Sequence, residues 1–128
     1  MAEAQGILRR LFSLEGKVVL ITGASGGIGR ALAVGLAEAG ATVAVHGRKA
    51  DEIATTCKLV AETGAKAFPI RAELADVQSA REVIATTYGE LKRLDVLINC
   101  AAMNRRKPIV EVTEDDYDAI MAVNLKSL

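Results

Sequence analysis

The stretch VVLITGASGGIG, Val18 to Gly29, constrains this chain more than any other. Val18, Val19, Leu20 and Ile21 form a short continuous apolar run, the pattern of a parallel strand buried on both faces. Thr22 to Gly27 is small and glycine-rich, and Ile28 opens a helical pattern in which Ile28, Ala31, Leu32, Gly35, Leu36 and Ala39 share a face. A strand, a tight turn and a helix bring free backbone N–H groups and the positive helix end to one point, which suits a pyrophosphate. The general G-x-G-x-x-G spacing fails because position 25 is Ser; T-G-x-x-x-G-x-G on Gly23, Gly27 and Gly29 fits, and so does T-G-x-x-G-x-x-G on Gly23, Gly26 and Gly29. A glycine turn without a ligand is the competing structural explanation.

The remaining chain repeats the alternation. Gly40 stops the first helix, and ATVAVHG gives a second strand over Thr42–His46. That strand is followed by Gly47, Arg48 and Lys49, where a carboxylate would suit a free ribose 2′-hydroxyl. A cationic pair suits a 2′-phosphate, so the expected cofactor is NADP(H), with NAD(H) second. Asp51 to Thr63 reads as a second helix with Ile53, Cys57, Val60 and Ala61 inward and Gly64 as its stop. AKAFPIR is a third strand whose Pro69 suits an edge, and Asp76 caps a third helix with Val77, Ala80, Val83, Ile84 and Tyr88 inward and Gly89 at its end. LDVLINCAA holds a fourth strand from Leu94 to about Cys100, and Thr113 with Asp116 makes a capping-box start for a last helix. Along that helix Tyr117, Ile120, Met121, Asn124 and Leu128 share a face.

Strands alternating with helices predict an α/β, Rossmann-like, doubly wound parallel sheet in 3-2-1-4 order, ending after the fourth strand and its following helix. The chain divides into an N-terminal arm, residues 1–14, and a dinucleotide-binding domain, residues 15–128. In the arm, Ile7, Leu8, Leu11 and Phe12 make one apolar helical turn with Arg9 and Arg10 on the wet side. The switch point falls between the turns after strands one and four, so Asn99 and Cys100 face the glycine turn. Asn99 either ties two strand ends together or touches ligand. Asn124, an amide in an apolar stripe, either packs helices or points into the crevice, because a buried amide must find partners.

Composition excludes several function classes. Formal net charge is zero, with 16 basic and 16 acidic residues and no long basic run, which argues against a nucleic-acid partner. No apolar run approaches a membrane span and the start lacks a signal-type apolar core, so a cytoplasmic protein is expected. Cys57 and Cys100 form no C-x-x-C pair and read as reduced thiols; His46, the one histidine, has no second ligand type beside it, so no metal site is expected.

With these residues assembled, the sequence from Leu14 to Leu128 resembles the short-chain dehydrogenase/reductase family. TGASGGIG is similar to that family's T-G-x-x-x-G-x-G turn, NCAA (Asn99 to Ala102) stands in place of its N-N-A-G motif, and VNLKS matches the stretch with the Asn of its catalytic tetrad. The resemblance implies that Thr22, Gly23, Ser25, Gly27, Ile28 and Gly29 form the pyrophosphate turn and that Arg48 meets the 2′-phosphate. It places Glu73 and Leu74 beside the adenine, Glu73 standing where the family has Asp. It sets Asn99, Ala101 and Ala102 along the nicotinamide ribose, where Cys100 and Ala102 replace Asn and Gly and the Ala102 methyl crowds the cofactor unless the backbone shifts. Asn124 would hold a water in a proton relay.

The implied activity is hydride transfer between the nicotinamide cofactor and a small-molecule alcohol/carbonyl substrate. The opening LFSLEGKVVLITGASGGIG is most similar to members acting on sugar acids such as gluconate, with 3-oxoacyl-carrier-protein reductases nearly as similar. The family's Ser and its Tyr-x-x-x-Lys would lie beyond Leu128, and Tyr88 to Lys92 matches the latter only by chance, at a helix end. The expectation is therefore a cofactor-binding part of such an enzyme, inactive alone, whose full-length form is a homo-oligomer; the alternative is a catalytically inactive dinucleotide-binding module. The 128 residues alone are expected to be weakly stable, with the fourth strand an open edge. The cations of NRRKP, Asn104 to Pro108, read as a solvated loop more readily than as an anion site.

Overall fold

The computed structural model describes residues 6–7 and 11–128. Four strands, β1 (Val18–Thr22), β2 (Thr42–Gly47), β3 (Ala67–Arg71) and β4 (Val96–Asn99), form one parallel sheet in the order β3-β2-β1-β4. Between them run α1 (Gly27–Glu38), α2 (Ala50–Glu62) and α3 (Val77–Leu91); after β4 come a 3₁₀ turn (Ile109–Glu111), α4 (Glu114–Met121) and a π-helical turn (Ala122–Lys126). This is the expected Rossmann-like α/β arrangement, with Pro69 on the edge strand where its missing N–H is tolerated.

Helices cover both faces of the sheet. Val19, Ile21, Val43 and Val45 pack with Ala33 and Ala37 of α1 and Ile53 and Val60 of α2. On the opposite face Leu20 and Ala44 meet Ile70, Leu74 and Val83 of α3. Alternate residues of β1 therefore feed two cores, which is why the run had to be apolar throughout.

Several helix faces differ from the sequence pattern. In α1 the buried stripe is Gly29, Ala33 and Ala37, whereas Ile28 and Leu32 are exposed. Small side chains let the helix lie close on the strands, so the larger apolar ones project sideways. In α2 the buried set includes Thr56 and leaves out Ala61; in α3 it is Val83 and Thr87, with Ile84 and Tyr88 exposed. Both threonines return their hydroxyl to their own helix, Thr56 to the Glu52 carbonyl (3.3 Å) and Thr87 to the Val83 carbonyl (2.8 Å), and so bury like small apolar residues.

Helix ends follow local chemistry. Asp76 accepts from the Ser79 N–H at 2.8 Å, Thr113 and Asp116 close the capping box, and Gly40 (φ 100°) and Gly64 (φ 87°) end α1 and α2 in the left-handed conformation. Gly89 does not end α3; the helix runs through it to Leu91, and Lys92 takes the left-handed cap at φ 59°. In the last helix the expected face breaks up, with Tyr117 and Leu128 exposed and Asp116 and Val123 buried. The π turn inserts a residue and rotates the side chains beyond it, so i, i+4 counting cannot carry across. Of the expected apolar arm, Leu8, Arg9 and Arg10 lie outside the described residues, while Ile7, Leu11 and Phe12 are exposed.

Candidate functional site

At the carboxyl ends of β1, β2 and β4 lies a cleft of about 490 Å³, lined by Gly23, Ser25 to Gly29, His46 to Arg48, Glu52, Glu73, Leu74, Cys100 to Met103 and Val123. This is the switch point of the sheet, where β1 has β2 on one side and β4 on the other.

Sterics select one of the two glycine spacings. Gly23 has φ 68°, and a Cβ there would sit 2.7 Å from the Ala101 Cα. Gly27 has φ 52°, and a Cβ on Gly29 would meet the Gly23 carbonyl oxygen at 2.3 Å. Gly26 is extended (φ −168°) with open space around a would-be Cβ. The obligatory set is Gly23, Gly27 and Gly29. The same crowding explains Gly47, whose Cβ would lie 2.7 Å from the Ser25 Cβ.

The start of α1 is left open. Gly26 offers no side-chain cap and the first turn holds no acidic residue, so its backbone N–H groups face the cleft end without an internal acceptor from a side chain. Arg30 secures the turn from behind, its Nε donating to Thr56 Oγ1 at 2.9 Å and its Nη2 to the Ser25 carbonyl. Arg30 and Thr56 escaped the sequence reading, because a contact between two helices leaves no periodic mark in either.

At the far end of the cleft Arg48 lies 3.7 Å from the Glu73 carboxylate. Lys49 turns away to Glu52 at 2.8 Å, so of the expected cationic pair only Arg48 lines the cleft. Leu74 is buried, and both Glu73 and Leu74 contribute to the cleft wall.

Behind the opposite wall Thr22, expected in the pyrophosphate turn but outside the cleft lining, joins β1 to β4. Its hydroxyl accepts from the Cys100 N–H (3.1 Å) and the Ala101 N–H (3.2 Å) and donates to the Ile98 carbonyl (3.4 Å). Thr22 thus does the tying considered for Asn99, which is exposed and outside the cleft lining. Ala101 and Ala102 line the cleft, Ala102 on its exposed side. Asn124 spends its amide on one partner: Oδ1 accepts from the Met103 N–H at 2.8 Å and Nδ2 donates to the Met103 carbonyl at 3.0 Å. The side chain holds the segment leaving β4, and neighbouring Val123 reaches the cleft. Asn124 sits within the π turn, closed by the Ser127 N–H on the Ala122 carbonyl at 3.1 Å. Farther along, Arg105 (2.9 Å) and Lys107 (2.6 Å) both bind Asp116, so these NRRKP cations are engaged in the fold. Those donors and the Thr113 N–H hold the Asp116 carboxyl well below the usual carboxylate range. Tyr88 and Lys92 lie outside the cleft lining.

His46 is the buried titratable group among the cleft-lining residues, 2% exposed near the end of β2. Burial pushes its pKa down, opposed in part by the Ala72 backbone and the Glu73 charge.

Residues 17–128 match the family profile of the short chain dehydrogenases. The chain is 34% identical over 117 residues to 2-dehydro-3-deoxy-D-gluconate 5-dehydrogenase of Dickeya dadantii, covering 91% of this chain and 46% of that protein. It is 36% identical over 118 residues to gluconate 5-dehydrogenase of Gluconobacter oxydans, covering 92% and 46%. Among solved structures, a 3-oxoacyl (acyl-carrier-protein) reductase of Agrobacterium tumefaciens with NADP bound superposes with a TM-score of 0.87 at 32% identity, over 94% of this chain and 46% of that one. The chain spans about half the length of the relatives it matches. It belongs to the short chain dehydrogenase family.

Proposed function

We propose that this member of the short chain dehydrogenase family is the cofactor-binding part of an NADP(H)-preferring oxidoreductase. The observation that carries the reading is the turn at the start of α1, where Gly23, Gly27 and Gly29 are sterically required and the helix end is left uncapped beside the cleft. Its open N–H groups suit a pyrophosphate, and Arg48 at the far end suits a 2′-phosphate, for which it must part from Glu73. Leu74 offers an apolar wall to the adenine, and Ala101 and Ala102 flank the nicotinamide ribose. When bound, the dinucleotide supplies or accepts the hydride in exchange with an alcohol/carbonyl pair. Asn124 fixes the segment after β4 through Met103, and its place in a π turn suits a role in ordering a water of the proton relay. A sugar acid is the proposed substrate class, supported by the names of the two gluconate-type relatives.

The test is dinucleotide binding by the natural full-length chain, followed by turnover on a panel of sugar acids. NADPH is expected to bind more tightly than NADH. Gly29→Ala is expected to weaken NADPH about a hundredfold, since backbone must move, while Gly26→Ala stays within about twofold. Tighter NADH binding would overturn the NADP preference, and equal effects of the two alanines would overturn the placement of the pyrophosphate.

A further inference from the structure

The cofactor turn is held from β2 as well as by its own glycines. The Gly23 N–H donates to His46 Nδ1 at 3.3 Å, and the next amide, Ala24 N–H, donates to the His46 carbonyl at 2.8 Å. One residue thus takes two consecutive donors of the turn, one on its side chain and one on its backbone. We infer that His46 is a positioning residue for cofactor binding, its neutral imidazole accepting the Gly23 N–H so that the first glycine of the turn is fixed and the following N–H groups stay aimed at the cleft. The inference rests on the cofactor-binding reading above and adds to it a residue that touches the turn from behind.

The ring chemistry makes the contact one-directional. An imidazole accepts at Nδ1 only when that nitrogen carries no proton, so the hydrogen resides on Nε2. Nε2 is buried and without a hydrogen-bond partner of good geometry, and the opposite tautomer would set two N–H groups against each other at Nδ1. Gly23 has little room to relieve that clash, because it lies so close to Ala101, just after β4, that a Cβ on it would sit 2.7 Å from the Ala101 Cα. The charged and titratable groups that share the cleft wall with the ring are Glu73 after β3, Arg48 after β2, Glu52 of α2 and Cys100 after β4, and of these Glu73 is the one whose charge is felt at the imidazole. Arg71 of β3 is turned to the Arg48 carbonyl at 3.0 Å. Glu73 is the group whose charge favours the imidazolium, and burial opposes it more strongly. The ring is therefore neutral near pH 7, and acid converts Nδ1 from acceptor to donor and loosens the turn.

The test compares the natural full-length protein with His46→Asn, whose Oδ1 accepts at the same place without titrating, and His46→Leu, which accepts nothing. Affinity is read by nicotinamide fluorescence from pH ~5 to ~8 with NADH, which lacks a 2′-phosphate titrating in that range. Wild type is expected to lose affinity on the acid side. His46→Asn is expected to bind within about twofold of wild type at the alkaline end and to flatten the acid fall, while His46→Leu binds about tenfold more weakly throughout. A folded His46→Leu that binds like wild type, or a His46→Asn that keeps the full acid fall, would overturn the inference. If His46→Leu does not fold, the His46→Asn profile decides alone. A wild type that binds neither NADH nor NADPH would instead sink the cofactor reading itself.

Discussion

β1 and β4 are neighbouring parallel strands with nearly interchangeable sequences, VVLIT and VLIN, yet they are held in the sheet by different forces. Every residue of β1 is buried, between β2 and β4 and between two helical layers. Among the described residues β4 pairs only with β1, and Val96 and Leu97 are 36% and 42% exposed. Polar contacts at its two ends secure β4. At one end Asp95 accepts from the Val18 N–H at 2.8 Å; at the other Thr22 takes the Cys100 and Ala101 N–H groups. Apolar sequence alone therefore says that a strand exists, and its neighbours decide whether burial stabilises it.

The strongest way to break the comparison is truncation inside each strand. Leu20 is fully buried, and Leu20→Ala is expected to cost about 3 kcal/mol, from lost transfer energy and a residual cavity. Leu97→Ala at the register partner of Leu20 is expected to cost under about 1 kcal/mol because its side chain is already partly in water. Urea unfolding of the 128-residue chain measures both. Equal losses would mean that β4 is covered in solution.

The same contrast explains how much of the molecule is legible in its sequence. The strand–helix alternation, the edge position of β3, the glycine turn and the caps at Asp76 and Thr113 all arise from local chemistry and are readable there. Helix faces are read less well, since hydropathy scores Ile28 and Ile84 as inward and cannot see that Ala33 allows close approach or that Thr56 and Thr87 satisfy their hydroxyls within their own helices. At the site, most residues named for the cofactor do line the cleft, while Thr22, Asn99 and Asn124 do not, and Thr22, Asn124, Arg30 and His46 make contacts to other segments of the fold. Such partnerships have no periodicity to find.

A second, smaller effect probes the polar tie at the cleft end. Thr22→Val keeps the shape and deletes the acceptor for two N–H groups. The expected loss is about 1–2 kcal/mol in urea unfolding, less than at Leu20 because the freed donors lie near the open cleft. The change is also expected to weaken NADPH binding, since Ala101 packs on Gly23.

The other tie supplies the smallest effect, and one that depends on pH. The Arg93 guanidinium, the Val18 N–H and Lys17 together hold the Asp95 carboxyl down to about 2. An acid with a lower pKa folded than unfolded binds fewer protons in the native state, so stability falls as the unfolded chain takes up protons. The contribution of Asp95 is therefore complete above the ordinary carboxylate pKa of about 4 and lost as pH falls from there toward the folded value. Asp95→Asn keeps an acceptor for the Val18 N–H but removes the charge, and it is expected to flatten the acid limb of thermal stability in that window while leaving a small loss near pH 7. The paired control is Asp116→Asn, which also removes a depressed carboxylate but one that binds the segment after β4 to α4 without touching either strand. If β4 depends on its end ties, combining Asp95→Asn with Thr22→Val should expose the β4 amides to hydrogen exchange well before those of β1, whereas Asp116→Asn with Thr22→Val should not. Simultaneous exchange of both strands in the first pair would show instead that β1 and β4 open as one unit, and that burial of β1 extends its hold to its neighbour.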